Sequence, residues 1–112
     1  MKIPNADQAV VDIAKLTDYC LNKLHPRGKH KARVFDTELG LTDEDAEELQ
    51  NSLLEIVKTR NAAEGKHDQY GKRYVIDFAM TRQNKQATIR SIWMIRSQED
   101  FPRLTSCYVL KK

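Results

Sequence analysis

The spacing of apolar residues in this 112-residue chain changes period once, near its middle, and that change dictates what the chain can fold into. Ala46, Leu49, Leu53, Ile56 and Val57 recur at helical intervals as one apolar stripe. Thr42 opens this helix as an N-cap, followed by the acidic first turn Asp43-Glu44-Asp45. Beyond Arg60 the period becomes two. Tyr70 to Thr81 alternates, with Tyr74, Ile76, Phe78 and Met80 on one side and Arg73, Asp77 and Thr81 on the other. Helices first and strands second predict an α+β fold: about three N-terminal helices packed on one face of a C-terminal antiparallel sheet of three to four strands. A chain of this length makes one domain, residues 1–112.

The remaining elements follow from caps and breakers. Ala9-Val10-Val11 reads as a short strand, and Asp12 as the N-cap of a helix reaching about Leu21, with Ile13, Leu16 and Cys20 on its inner face. Pro26 and Gly28 place Asn22 to Gly28 in a loop, where Gly28 supplies a conformation that other residues resist. Lys29 to Leu39 is a helix ended by Gly40, with Ala32, Phe35 and Leu39 as its stripe. Asn61 to Gln69 reads as a loop, Arg82-Gln83-Asn84-Lys85 as a hairpin turn, and Ala87 to Arg96 and Leu104 to Leu110 as the next two strands.

Charge is divided sharply along the chain. Residues 36–57 hold eight acidic groups and no basic one, whereas residues 58–112 hold twelve basic and five acidic. The densest basic stretch is His25-Pro26-Arg27-Gly28-Lys29-His30-Lys31-Ala32-Arg33. From Lys23 to Arg33, five Lys/Arg and two of the three histidines fall within eleven residues. Mutually repelling cations call for solvent or an anionic partner, and phosphate is the commonest such partner. Lys29, His30, Lys31 and Arg33 crowd the N-terminal end of a helix whose dipole favours an anion, which strengthens the case for an external one.

The polar sheet face is the second candidate surface. It offers Arg73, Asp77, Thr88, Arg90 and one of Thr105 or Ser106, a set able to hold a phosphodiester between guanidinium and hydroxyl groups. A metal-independent ribonuclease must take a proton from a 2′-hydroxyl, stabilise the phosphorane and give a proton to the leaving 5′-oxygen. His25 and His30 have the titration range for base and acid, while Lys29, Lys31, Arg33 and Arg90 have the charge. Singly, each of these residues is more simply a solvated or structural group. Trp93 and the tyrosines read as core or sheet residues, with Tyr70 and Tyr108 near strand ends available to stack a base.

Several classes are set aside. No apolar run is long enough to span a bilayer, and the opening MKIPNADQAV lacks a signal-peptide core, so a cytoplasmic chain is expected, or one carried within something larger. Cys20 and Cys107 are expected to be reduced and buried. Cys20, His25 and His30 match no common zinc spacing, and no dinucleotide, P-loop, H-E-x-x-H or C-x-x-C motif is present. Neither metal nor cofactor is called for.

Ile3-Pro4-Asn5-Ala6, Lys15-Leu16, Tyr19-Cys20-Leu21, the run from His25 through Phe35, Leu39-Gly40-Leu41 and Asp100 to Tyr108 resemble an uncharacterised bacterial domain family with a His-Pro-x-Gly-x-x-Lys-Ala core. Its members occur as small stand-alone proteins and at the C-termini of polymorphic toxins. The order of elements is also similar to that of the barnase, EndoU, colicin E5 and RelE group of metal-independent RNases. That resemblance implies a toxin-like ribonuclease acting on RNA, tRNA among the candidates, with His25, Lys31, Arg90 and Thr105 as catalytic candidates. Arg27, Lys29, His30, Arg33, Arg73 and Ser106 would contact the nucleic acid, and a small acidic antitoxin or immunity protein would restrain it. The second reading is a non-catalytic nucleic-acid- or protein-binding module, the neutralising half of such a pair among its forms. Oligomeric state is open on either reading.

Overall fold

In a computed structural model describing residues 1–110, three helical segments precede a four-stranded antiparallel sheet of order β1-β2-β3-β4. The strands are β1 (Ala63–Asp68), β2 (Gly71–Arg82), β3 (Lys85–Arg96) and β4 (Pro102–Leu110). Helix α2 (Lys29–Leu39) has the predicted extent, whereas the acidic turn Asp43–Asp45 capped by Thr42 is a 3-10 turn and α3 (Ala46–Thr59) begins after it; both bury the predicted stripes, Ala32, Phe35 and Leu39 on α2, and Ala46, Leu49, Leu53, Ile56 and Val57 on α3.

The first helical segment departs from expectation in its winding. Three residues of α1 (Ile13–Lys15) pass directly into a π-helical stretch, Leu16–Cys20, with Leu21 N–H donating to the Leu16 carbonyl at 2.8 Å. An ordinary helix puts Ile13, Leu16 and Cys20 inside. The wider turn instead buries Leu16, Cys20 and Leu21 together and leaves Ile13 37% exposed. Asp12 caps the start as expected, accepting from Ala14 N–H at 3.0 Å.

Two strand assignments are corrected. The segment 61–69 is not a loop, because Ala63–Asp68 pairs with β2 through a register irregularity between Glu64 and His67. Its sequence, Ala-Glu-Gly-Lys-His-Asp, carries no alternation, since it is an exposed edge strand held by backbone pairing. Val10 contributes only an isolated parallel bridge. It donates to the Pro102 carbonyl at 2.9 Å and accepts from Leu104 N–H at 3.0 Å, occupying part of the open edge of β4.

The core lies between the helices and one sheet face. Tyr74, Ile76 and Phe78 from β2, Ile89, Ser91 and Trp93 from β3, and Leu104, Cys107 and Val109 from β4 all point into it. Ser91 is the one buried polar residue described, and both ends of its hydroxyl are used. It accepts from Trp93 Nε1 at 2.9 Å and donates to the Ile76 carbonyl at 2.8 Å. The hairpin between β2 and β3 turns on Gln83 (φ 52°) and Asn84 (φ 63°), both left-handed, as a two-residue hairpin requires.

Arg82, placed in that turn by sequence, proves to join the two halves of the fold. It donates to Glu48 at 2.7 Å and to the carbonyls of Leu39 and Gly40 at 3.1 and 2.8 Å, and it pairs with Asp45 at 3.1 Å. These bonds hold the end of α2 and the start of α3 against the hairpin. Glu48 first, then its charge and that of Asp45, keep the guanidinium above its ordinary pKa. Gly40 ends α2 at φ 66°, and a Cβ there would meet the Gln83 side chain at 2.6 Å.

At the other end of the sheet, Glu99 holds Arg103 through bonds of 2.8 and 2.7 Å. Arg103 is the first cause holding the Glu99 carboxyl below its ordinary value of 4.5. A depressed carboxylate contributes stability above its unfolded pKa and loses it as pH falls through the folded one. Glu99→Gln is therefore expected to flatten the acid limb of a pH-stability curve below about pH 4.5. Arg82→Ala should lower stability by about 2 kcal/mol in urea unfolding, because it strips two carbonyls and two carboxylates of a donor at once.

Candidate functional site

The sheet face away from the helices carries a connected cluster of Asp77, Arg90, Tyr108 and Lys31. Strand pairing places the first three in a row: Asp77 stands opposite Arg90, and Arg90 opposite Tyr108. Arg90 is bidentate on Asp77, with Nε and Nη2 each 2.9 Å from a carboxylate oxygen. Asp77 first, then the Tyr108 hydroxyl, hold the guanidinium well above its ordinary pKa. Of the five guanidinium N–H groups, two go to Asp77. The others remain for the Tyr108 hydroxyl and a further acceptor.

Lys31 reaches the same place from the first turn of α2. Its ammonium lies 4.4 Å from the centroid of the Tyr108 ring, a cation–π contact across the β4 edge. The phenol of Tyr108 is thus flanked by a lysine on its ring and an arginine at its hydroxyl. Fixed positive charge around a hydroxyl, on a half-exposed surface, suits an oxyanion such as phosphate. Half-buried Val75, Ile92 and Met94 continue this face beside the cluster.

The other sequence candidates are distributed differently. His25 organises its own loop. Its Nδ1 accepts from the N–H groups of Arg27 and Gly28, both at 3.0 Å, and its ring meets Tyr19 edge-on at 4.7 Å. A nitrogen that accepts two hydrogen bonds carries no proton, so the neutral ring bears its hydrogen on Nε2. Gly28 has an ordinary φ of −95°, which corrects the reason assigned to it. Glycine is needed because a Cβ there would come 2.8 Å from the Tyr19 carbonyl oxygen. His25-Pro26-Arg27-Gly28 is therefore a locked bend that sets the start of α2, and with it the position of Lys31.

The final-strand hydroxyls turn elsewhere. Thr105 is the extra residue of a register irregularity in β4, and its hydroxyl donates to the Ile92 carbonyl at 3.0 Å. Ser106 is half-buried in β4 and stands opposite Ile92. Arg73 pairs with Asp68 at 3.1 Å and not with Asp77. Arg27, His30 and Arg33 are exposed, Lys29 is half-exposed, and Lys23 pairs with Asp36. Among the described residues no hydrogen bond or ion pair joins His25, Thr105, Ser106 or Arg73 to Arg90. The structure thus brings Lys31 together with Arg90 and adds Tyr108 and Asp77. Tyr108 was legible as a strand-end aromatic but not as the link between them. No group of His, Cys, Asp or Glu among the described residues is arranged to hold a metal. No described helix is long and apolar enough to cross a membrane.

These features define a small α+β domain whose bare sheet face presents arginine, lysine and tyrosine side by side. The chain belongs to the family described as domain of unknown function DUF6883, whose model matches residues 2–111. No curated protein matches it. Its fold is similar to that of a chain in the contact-dependent growth inhibition toxin–immunity protein complex from Klebsiella pneumoniae 342. The TM-score is 0.71 at 16% identity, over 96% of this chain and 97% of that one.

If His25 acts on its own loop, replacement by Asn, whose Oδ1 occupies the place of Nδ1, should preserve more stability than replacement by Gln. We expect about 1 kcal/mol between the two variants in denaturant unfolding. Equal losses would show that the two backbone bonds to Nδ1 contribute nothing.

Proposed function

We propose that the chain is a toxin-type, metal-independent ribonuclease that cleaves RNA by attack of a 2′-hydroxyl on the adjacent phosphorus. The observation that carries this reading is the meeting of Lys31, Tyr108 and Arg90 on an uncovered face, with Asp77 fixing the guanidinium. The fold shared with a chain of a toxin–immunity complex supports the toxin setting. So does the resemblance of the His25–Ala32 core to domains at polymorphic-toxin C-termini.

In this scheme the unused N–H groups of Arg90 and the Lys31 ammonium bind the non-bridging oxygens, and they bind more strongly as the phosphorane gains charge. The Tyr108 hydroxyl, within reach of both cations, gives its proton to the leaving 5′-oxygen. The base that takes the 2′-proton belongs to the basic bend, where neither ring nitrogen of His30 is engaged by a described hydrogen bond. His25, with Nδ1 accepting from the backbone, presents Nε2–H as a donor to a phosphate. Arg27, Lys29, Arg33 and Arg73 extend the positive surface along the RNA, and Ser106 and Thr105 hold β4 in place beneath it. A small acidic protein of the antitoxin or immunity kind would cover the same face, and the working compartment is the cytoplasm, where the RNA is.

One observation favours the non-catalytic reading. No histidine is joined to the Arg90 cluster among the described residues, and a surface lacking its base binds RNA or a protein without cutting. Incubation of purified protein with total RNA in EDTA separates the readings. We expect fragments ending in 2′,3′-cyclic phosphate, a loss of about 10²–10³-fold in rate for Tyr108→Phe, and a comparable loss for Arg90→Ala. Retardation of RNA without cleavage would assign a binding module. Neither cleavage nor retardation would remove RNA from the account.

A further inference from the structure

Strand pairing sets out the bare sheet face in rows. Asp77, Arg90 and Tyr108 form one row, Val75 and Ile92 stand in the next, and Arg73, Met94 and Arg103 form the third. Successive rows lie two residues apart along each strand, roughly 7 Å. Val75, Ile92 and Met94 therefore make a short apolar strip that starts one step from the Arg90 guanidinium. All three are half-buried, on the face turned away from the helices.

Charge around the strip is unequal at its two ends. At the far end Arg73 is held by Asp68 at 3.1 Å, and Arg103 by Glu99 at 2.8 and 2.7 Å, with its guanidinium 5.0 Å from the Phe101 ring. Each of these cations is matched by a carboxylate. At the near end Asp77 matches Arg90, but the Lys31 ammonium, over the Tyr108 ring, joins no described ion pair. Positive charge is in excess only there.

These two properties together select an occupant. Val75 opposite Ile92 stabilises the sheet as a cross-strand pair, a role that threonine fills on a wet face just as well, and Met94 between two arginines has no such role. Three side chains in a line fall far short of the roughly 800 Å² that each partner of a standard protein interface buries. They do match a single flat base. A nucleotide is an anion at one end and a weakly hydrated plate at the other, so a phosphate on Lys31 and Arg90 brings its base down on the strip. A duplex, with its bases paired and stacked inside, has none to offer.

We propose that Val75, Ile92 and Met94 are a nucleobase platform, seating the base of the nucleotide whose phosphate Lys31 and Arg90 hold, and that single-stranded RNA is accordingly the substrate class. The inference rests on the RNA reading above. Aliphatic groups give a base no hydrogen-bond partner, so the platform accepts any base and discriminates by strandedness. Because it is built on the same two central strands as Arg90, base and phosphate sites keep a fixed separation.

The test measures binding by fluorescence anisotropy at physiological salt with 2′-O-methyl oligonucleotides of about eight residues, which lack the attacking hydroxyl and stay intact. A single strand, an abasic strand of the same length and charge, and a duplex are compared. We expect the wild-type chain to hold the single strand about 10- to 100-fold more tightly than the abasic one, and more tightly than the duplex despite its doubled charge. Ile92→Thr combined with Met94→Gln, on the wet face, should reduce that preference to about twofold while leaving abasic binding unchanged. Val75→Thr, a near-isosteric change that carries the decision if the double variant unfolds, should reduce it about threefold. Arg90→Ala should weaken both strands alike. Equal wild-type affinity for the base-bearing and abasic strands would overturn the platform and leave RNA binding standing, as would a preference that survives in every strip variant. Binding of no strand would remove the RNA reading itself, and the strip would then belong to a protein partner.

Discussion

A four-stranded sheet has two faces, and this chain owns enough apolar surface to cover only one. The buried large side chains of the first half, from Leu16 through Val57, are gathered on a single side of β2, β3 and β4. There Trp93, Ile76 and Ile89 are fully enclosed. What remains outside is mixed: Asp77, Arg90 and Tyr108 stand on the opposite pleat of the same strands, beside half-buried Val75, Ile92 and Met94. The site is therefore the obligatory reverse side of the core, positioned by the pairing that positions Phe78 and Val109. A rigid layer behind it also gives the Asp77–Arg90 pair its fixed geometry.

Much of this was legible in residue spacing. The helical recurrence from Ala46 to Val57 and the alternation from Tyr74 to Met80 each named both the element and its inward face. Three things were not legible, for separate reasons. The strand Ala63–Asp68 forms by pairing backbone against β2 and carries no pattern of its own. The π-helical turn arises because Leu16, Cys20 and Leu21 all need burial, a demand met by local winding that no fixed period anticipates. The role of Tyr108 depends on which residue stands across from Arg90, and register between distant strands is set only once the sheet is assembled. The basic bend was conspicuous from the outset. Its internal division of labour was not, because a histidine that accepts backbone hydrogens looks the same in sequence as one that moves protons.

The division of charge also acquires a structural meaning. Residues 36–57 carry eight acidic groups, yet they do not form an unrelieved negative wall. Arg82, sent across from the hairpin tip, neutralises Asp45 and Glu48 while bonding the carbonyls that end α2. Lys23 does the same for Asp36. One cation from the sheet half and one from the loop thus moderate the acidic helices. Arg27, Arg33 and their neighbours in the bend are left facing solvent, and the molecule stays positive on the side where an anion would approach.

The single supernumerary residue in β4 has an implication for how this domain tolerates change in length. Before Thr105 the even-numbered side chains, Pro102 and Leu104, face inward, and after it the odd-numbered ones, Cys107 and Val109, do. Excision of Thr105 alone would leave Ile92 opposite Ser106 and Arg90 opposite Tyr108 in regular alternation, whereas excision of two residues would swing the phenol of Tyr108 toward the hydrophobic interior and expel a thiol to the exterior. The strand behaves as a parity counter: descendants can lose the one extra residue at this point far more readily than a pair.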